Sequence, residues 1–388
     1  MIERKAQLET LKRMLARNPV VAILGPRQVG KSTLAKAFTD GHAQRSTTHF
    51  DLEKTSDLAR LEDADFALRS LKGFVVLDEI QRRPELFPTL RVLADRPRTP
   101  ARFLVLGSAA PDLLRQSSES LAGRIEYHEL SGFTLDEVGV EQLDQLWLRG
   151  GFPRSFLART NADSRAWRKA FVRTFLERDV PQFGISIPAP TLERFWAMLA
   201  HYHGQIWNAS EFARSFGVSH HTTRHYLESL QATFMVRTLR PFMANIKKRQ
   251  VKSPKIYLRD SGILHSFLDI HTLRDLERHP KLGASWEGFL IEAVIQRLRA
   301  DSSQCYFWAT HTGAELDLVI THGRRRYGFE IKRSSAPKVT ASIRSAIDDL
   351  GLSRVDVIHA GHESYPLAPK VRAVAARSLL EEIQPLRP

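Results

Sequence analysis

Gly25-Pro26-Arg27-Gln28-Val29-Gly30-Lys31-Ser32 satisfies the pattern G-x-x-x-x-G-K-[ST] at every fixed position. The flanks agree with it: Pro19 to Leu24 (PVVAIL) is an apolar run of buried-strand type, and Ser32 to Thr39 (STLAKAFT) opens a helix. The chemistry asks for this order. Glycines let backbone N–H groups curl around phosphates, and a helix N-terminus favours their charge. Lys31 then reaches the outer phosphates and Ser32 ligates Mg²⁺. Strand, loop and helix therefore predict a nucleotide site built from Gly25, Pro26, Arg27, Gln28, Val29, Gly30, Lys31, Ser32 and Thr33.

The neighbouring segments supply the rest of such a site. Residues 1–18 read as one amphipathic helix with Leu8, Leu11, Met14 and Leu15 on a face, and Thr48 to Leu52 as a second strand. Gly73-Phe74-Val75-Val76-Leu77-Asp78-Glu79 is an apolar strand ending in two acids. A strand buried on both faces that delivers carboxylates at its C-terminal end is what Mg·ATP needs: Asp78 for the metal's water shell, Glu79 to polarise the attacking water. A further apolar strand, Arg102 to Ser108, ends in a hydroxyl placed to bond the γ-phosphate or that water, and Ile125 to Leu130 is a fifth strand candidate. Alternating strands and helices with ligand residues at strand ends predict an α/β fold, a doubly wound parallel sheet.

The set GPRQVGKS, VVLDE, LVLGSAA and SLAGR resembles the AAA-type module of a bacterial and archaeal P-loop ATPase family. In that family the module is followed by helices, a winged helix and a C-terminal domain of restriction-endonuclease type. The resemblance implies Lys31 and Ser32 as phosphate and Mg²⁺ residues, Asp78 and Glu79 as the metal and water-activating pair, and Ser108 as a γ-phosphate sensor. It further implies that Arg124 acts at or near a γ-phosphate, in its own subunit or across an interface of a homo-oligomer. Gly150-Gly151-Phe152-Pro153 looks like the nucleotide-contacting turn of a helical lid, with Pro153 near the adenine. The implied organisation is an ATPase domain over residues 1–132, a lid over 133–205, a winged helix over 206–268 and a nuclease-like domain over 269–388.

Composition narrows the class. The chain of 388 residues exceeds one hydrophobic core, and 43% hydrophobic with 26% charged residues is ordinary for a globular protein. We read no signal peptide and no span long enough for a bilayer, and the single cysteine, Cys305, fits a reducing cytoplasm. The formal charge of +14 suits a protein that meets nucleic acid, so duplex or branched DNA is the expected partner.

Two further stretches bear on that partner. Asn208 and Glu211 are spaced as in a capping box, and a helix, a turn at Phe216-Gly217-Val218-Ser219 and a second helix over His220 to Gln231 follow. Phe234 to Leu239 and a basic stretch containing Lys247, Lys248, Arg249, Lys252 and Lys255 then form the hairpin of a winged-helix pattern, with those cations expected on DNA phosphates. His221 and His225 lack a third ligand at metal spacing and, like His201 and His203, are expected to be surface or phosphate-contacting histidines.

The last stretch carries acids inside strands. A helix over Ser285 to Ala293 precedes strands over Cys305 to Ala309, Glu315 to Ile320 and Tyr327 to Lys332, then a helix near Thr340 to Leu350 and a last strand over Val355 to Ile358. Asp317 interrupts ELDLVI, and Glu330 and Lys332 share one strand face. With a helix glutamate these carboxylates are expected to hold one or two Mg²⁺ ions, while Lys332 orients or deprotonates water. The order resembles the PD-(D/E)XK nuclease fold, with Glu287 fitting the helix position best and Glu292 as the alternative. The whole then reads as an ATP-hydrolysing, DNA-engaging protein of DNA processing, recombination or repair. The other reading is an ATP-dependent signalling or defence switch with an inert nuclease fold.

Overall fold

The computed structural model describes residues 2–97, 101–108, 119–244 and 249–386. These fall into two compact units, the first formed by Met1–Gly132, Asp179–Ser186 and Ala232–Phe234. All three segments expected after residue 132 contribute to the second unit.

The first unit is built on β1 (Val20–Leu24), β2 (Thr47–Asp51), β3 (Gly73–Asp78), β4 (Ala101–Gly107) and β5 (Ile125–Glu129). They form one parallel sheet in the order β2-β3-β4-β1-β5. The central strands are apolar throughout because both of their faces are covered. Val20, Val21, Ile23 and Leu24 are buried without exception, and each contributes roughly 1.5–3 kcal/mol on leaving water. The edge strands β2 and β5 are largely open to solvent. Register matters for function: Leu24 pairs with Gly107 and with Glu129, and Leu77 with Val105, so these strands end together at one edge. The helix Lys5–Arg17 buries Leu11, Met14 and Leu15, three of the four residues expected on its inner face.

The second unit carries β6 (Gln205–Ile206), β7 (Val236–Pro241), β8 (Lys255–Leu258), β9 (Cys305–Ala309), β10 (Glu315–His322), β11 (Arg325–Lys332), β12 (Arg354–His359), β13 (Tyr365–Ala368) and β14 (Val371–Ala375). They run in the order β13-β14-β12-β11-β10-β9-β7-β8-β6. The sheet is continuous from the hairpin of the helix-turn-helix segment to the C-terminal strands, because β7 pairs in parallel with β9 at Arg240 and Tyr306. β12 is not the last strand: β13 and β14 follow it, and these two short strands of four and five residues carry little sequence signal. Helix Leu282–Leu298 packs on β10 and β11, and helix Ala341–Leu350 packs on β10 and β12, where Ile343, Ala346 and Leu350 meet Trp308, Leu316, Val319, Val355 and Val357.

Helices Ala209–Phe216 and His220–Ala232 are separated at Gly217, whose φ of 63° closes the first helix in the left-handed region. Asn208 caps that helix by accepting from the Ser210 N–H (3.2 Å), but Glu211 accepts from the Tyr202 hydroxyl (3.3 Å) rather than completing a box. No helix among the described residues is long and apolar enough to cross a membrane.

Candidate nucleotide site and carboxylate cluster

The loop after β1 is shaped by close approach. A Cβ on Gly25 would lie 2.1 Å from the Leu130 carbonyl oxygen, so only glycine fits there. Gly30, at φ 94°, caps helix Lys31–Asp40. The Lys31 ammonium donates to the carbonyls of Gly25 (3.0 Å) and Pro26 (2.8 Å) and to Ser108 Oγ (3.3 Å). Burial lowers its pKa to about 8, opposed by the charges of Glu79 and Asp78. Lys31, Ser108, Asp78 and Glu79 thus gather at the edge where β1, β3 and β4 end, as expected from the sequence. Ser32 and Thr33 are exposed at the start of the helix.

Asp78 is buried and accepts the Glu79 N–H (3.0 Å). Glu79 sits at φ 59° and ψ 45°, a left-handed conformation that costs a non-glycine residue on the order of 1–3 kcal/mol. Gln81 donates to its carboxylate. A hydroxyl at the head of a helix and a buried carboxylate at a strand end fit Mg²⁺, which takes few protein ligands and completes its shell with water and phosphate oxygens.

Sequence reasoning missed what holds Arg27. Its guanidinium pairs with Asp179 and donates to Glu53 (2.7 Å) and Gln182 (3.3 Å). The only signal was the charged triplet Glu177-Arg178-Asp179, and distance along the chain hid its target. Arg124 does not reach the phosphate site of its own chain, one of its two expected placements. It precedes β5, opposite the start of β1, and its guanidinium grips Asp95 through two bonds (2.6 and 2.9 Å). The strand's length, roughly 16 Å, separates it from the phosphate-loop edge, so it does not serve the phosphate site of its own chain. Pro153 lies in the second unit at the head of helix Pro153–Phe156.

In the second unit the structure brings Glu287, Asp317, Glu330 and Lys332 together, but with an added guest. Lys255, expected on DNA phosphates, is buried: its ammonium pairs with Glu315 and lies 3.1 Å from Glu287 and 3.6 Å from Asp317. Burial, β8 register and these carboxylates overrule its membership of a basic stretch. Tyr257 donates to the same Glu287 oxygen (2.6 Å), and the Ile331 N–H to Asp317 Oδ2 (2.9 Å). Lys332 pairs with Glu330 Oε1 (2.6 Å), leaving Glu330 Oε2 buried without a partner. Burial, then repulsion from Asp317, pushes both Glu287 and Glu330 up to about 7.

This donor set does not fit the expected Mg²⁺. A dication would have to share these carboxylates with the Lys255 ammonium, whose like charge opposes it. No group of three or more carboxylate, imidazole or thiol ligands is arranged for a metal among the described residues. Glu292, the alternative helix acid, is consumed as well: Arg237 chelates it through Nε and one terminal guanidinium nitrogen, and Arg259 assists. Despite its burial, these cations hold Glu292 down to about 2. Its contribution is present above the ordinary pKa near 4.5 and is lost as pH falls toward about 2. Arg237→Met strips that buried carboxylate of its two shorter bonds and leaves it the longer contact with Arg259, and chemical denaturation at pH 7 should show a loss of about 3 kcal/mol. The deficit should shrink below pH 4.5, where Glu292 in the variant takes up a proton.

Of the remaining cations, Arg249 and Lys252 are exposed, and Lys247 and Lys248 lie outside the described residues. Helix His220–Ala232 buries Thr223, Leu227 and Leu230 and turns His221, Arg224 and His225 to solvent. His203 is a further correction. Unlike exposed His201, it is buried beside Tyr257, accepts the Leu258 N–H (3.0 Å), and is kept neutral by burial with a pKa of about 3.

Residues 17–139 match the family model of an AAA domain. Residues 140–274 and 282–379 match two models described as domains of unknown function, DUF8612 and DUF4143. Over 380 residues the chain is 51% identical to Rv2008c of Mycobacterium tuberculosis and to Mb2031c of Mycobacterium bovis, both named uncharacterized proteins; each alignment covers 98% of this chain and 85% of the relative. Among solved structures it is similar to the Walker-type ATPase PABY2304 of Pyrococcus abyssi, at 16% identity and a TM-score of 0.50, over 69% of this chain and 96% of that one. That likeness extends to the fold.

Proposed function

The chain belongs to the family of AAA-domain proteins that includes Rv2008c and Mb2031c, and from that premise we propose that it binds and hydrolyses Mg·ATP and couples turnover to engagement of DNA. The observation that carries the first half is the convergence of Lys31, Asp78, Glu79 and Ser108 at one edge of the parallel sheet. The phosphates exchange with the Gly25 and Pro26 carbonyls for the Lys31 ammonium, and the N–H groups of Gly30 to Thr33 face them. Ser32 and Asp78 would hold Mg²⁺, which when bound offsets phosphate charge. Glu79 polarises the attacking water and Ser108 bonds the γ-phosphate or that water. Phosphate release from Mg·ATP by the full chain tests this; a rate no higher than that of Lys31→Met would remove it.

DNA engagement is supported by the net charge, by the solvent-facing Arg224 on the second helix of the pair, and by Arg249 and Lys252 beyond β7. Arg249→Gln with Lys252→Gln should weaken duplex binding and reduce the slope of log K against log salt by about 2. An unchanged isotherm moves the DNA surface elsewhere. One observation favours the second reading, a nucleotide switch acting on protein partners: Lys255 is spent on carboxylates instead of being offered to phosphates. Turnover indifferent to every DNA would put that reading first.

A further inference from the structure

We infer that Lys255 is the resident cation of the carboxylate cluster on β10 and β11, and that this chain does not load a divalent metal there for phosphodiester cleavage. β8 sets this arrangement, whatever the phosphate loop does with ATP. Alternation along Lys255-Ile256-Tyr257-Leu258 sends Lys255 and Tyr257 to one face, and both reach Glu287 on helix Leu282–Leu298. From there the ammonium also faces Glu315 and Asp317.

Part of the acid charge is met without a metal. Glu287, Glu315, Asp317 and Glu330 face two ammonium groups, Lys255 and Lys332. Several of the oxygens are also engaged. Glu287 Oε1 serves Lys255 and Tyr257, Asp317 Oδ2 serves the Ile331 N–H, and Glu330 Oε1 serves Lys332. Asp317 Oδ1 faces the Lys255 ammonium, and Glu330 Oε2 is buried with no hydrogen-bond partner among the described residues. An ion bridging Asp317 and Glu330 would therefore sit against Lys255. The adjoining pairs follow the same logic, since Arg237 and Arg259, at β7 and just after β8, neutralise Glu292 on the same helix. The hairpin strands thus act as a built-in counter-charge to the helix acids.

The test is Mn²⁺ binding to the full chain without nucleotide, followed by electron paramagnetic resonance, for wild type, Asp317→Asn, Lys255→Met and the Lys255→Met/Asp317→Asn pair. Any Mn²⁺ held near the phosphate loop is common to all four. Wild type and Asp317→Asn should bind the same number of ions, while Lys255→Met should gain one site, at least tenfold tighter than anything wild type offers there, that the added Asp317→Asn removes. Loss of an ion on passing from wild type to Asp317→Asn would overturn the inference, and this comparison stands even if the Lys255 variants do not fold. A folded Lys255→Met that gains no site would overturn it too. So would Mg²⁺-dependent cleavage of duplex DNA by wild type that Lys332→Ala abolishes.

Discussion

Lys31→Met is expected to lower ATP turnover at least 100-fold, a loss of about 3 kcal/mol of transition-state stabilisation, without lowering the stability of the nucleotide-free chain. Among the described residues the ammonium is the cation that bonds both Ser108 and the Gly25 and Pro26 carbonyls, where it would meet the charge that accumulates on the outer phosphates. Methionine keeps the apolar stem and removes the charge. Stability should hold because the charge is a cost to the folded state. The folded pKa, about 8, lies below the ordinary value of 10.5, so burial of the ammonium is paid in full below pH 8 and relieved as pH rises toward 10.5. Wild type should therefore gain stability relative to the variant across that interval, as a pH series of thermal melts would show. Turnover within threefold of wild type would place the catalytic cation elsewhere.

Glu79→Gln should separate binding from chemistry. Glutamine preserves the side-chain length and the contact with Gln81 but cannot accept the water's proton, so turnover should fall about 100- to 1,000-fold while a fluorescent ATP analogue binds within a few-fold of wild type. The left-handed backbone of Glu79 gives a second reason to assign it this role. A strained conformation is kept where the carboxylate must leave the sheet at a fixed angle, and the Asp78 side chain holds the Glu79 N–H to fix it. Single-turnover hydrolysis at wild-type rate would mean that another group activates water.

Much of this site was legible because its chemistry is local. Gly25 to Ser32 are contiguous, and Asp78, Glu79 and Ser108 each end an apolar strand, so parallel pairing alone brings them to one edge. Arg124 shows the limit of the same logic: it begins a strand instead of ending one, and its place in the motif order said nothing about which end of the sheet it occupies. The partners of Arg27 were out of reach because Asp179 stands 152 residues away. In the second unit the acids read correctly as a cluster, and the strand bounds from Cys305 to Lys332 were nearly those expected. What failed was the assumption that a basic stretch is a solvated face. Lys255 begins a buried strand, and the two-residue period that made β8 recognisable also aimed the lysine inward at Glu287. The β7 to β9 pairing, which merges two expected domains into one sheet, has no sequence signature beyond two short strands.

The most direct test of the account is steady-state ATP hydrolysis by the full chain at low salt, alone and with duplex, forked and four-way-junction DNA, with Lys31→Met as the blank. The account predicts turnover above the blank that rises with at least one DNA and loses that rise when Arg249 and Lys252 are neutralised. Turnover equal to the blank under every condition would contradict it.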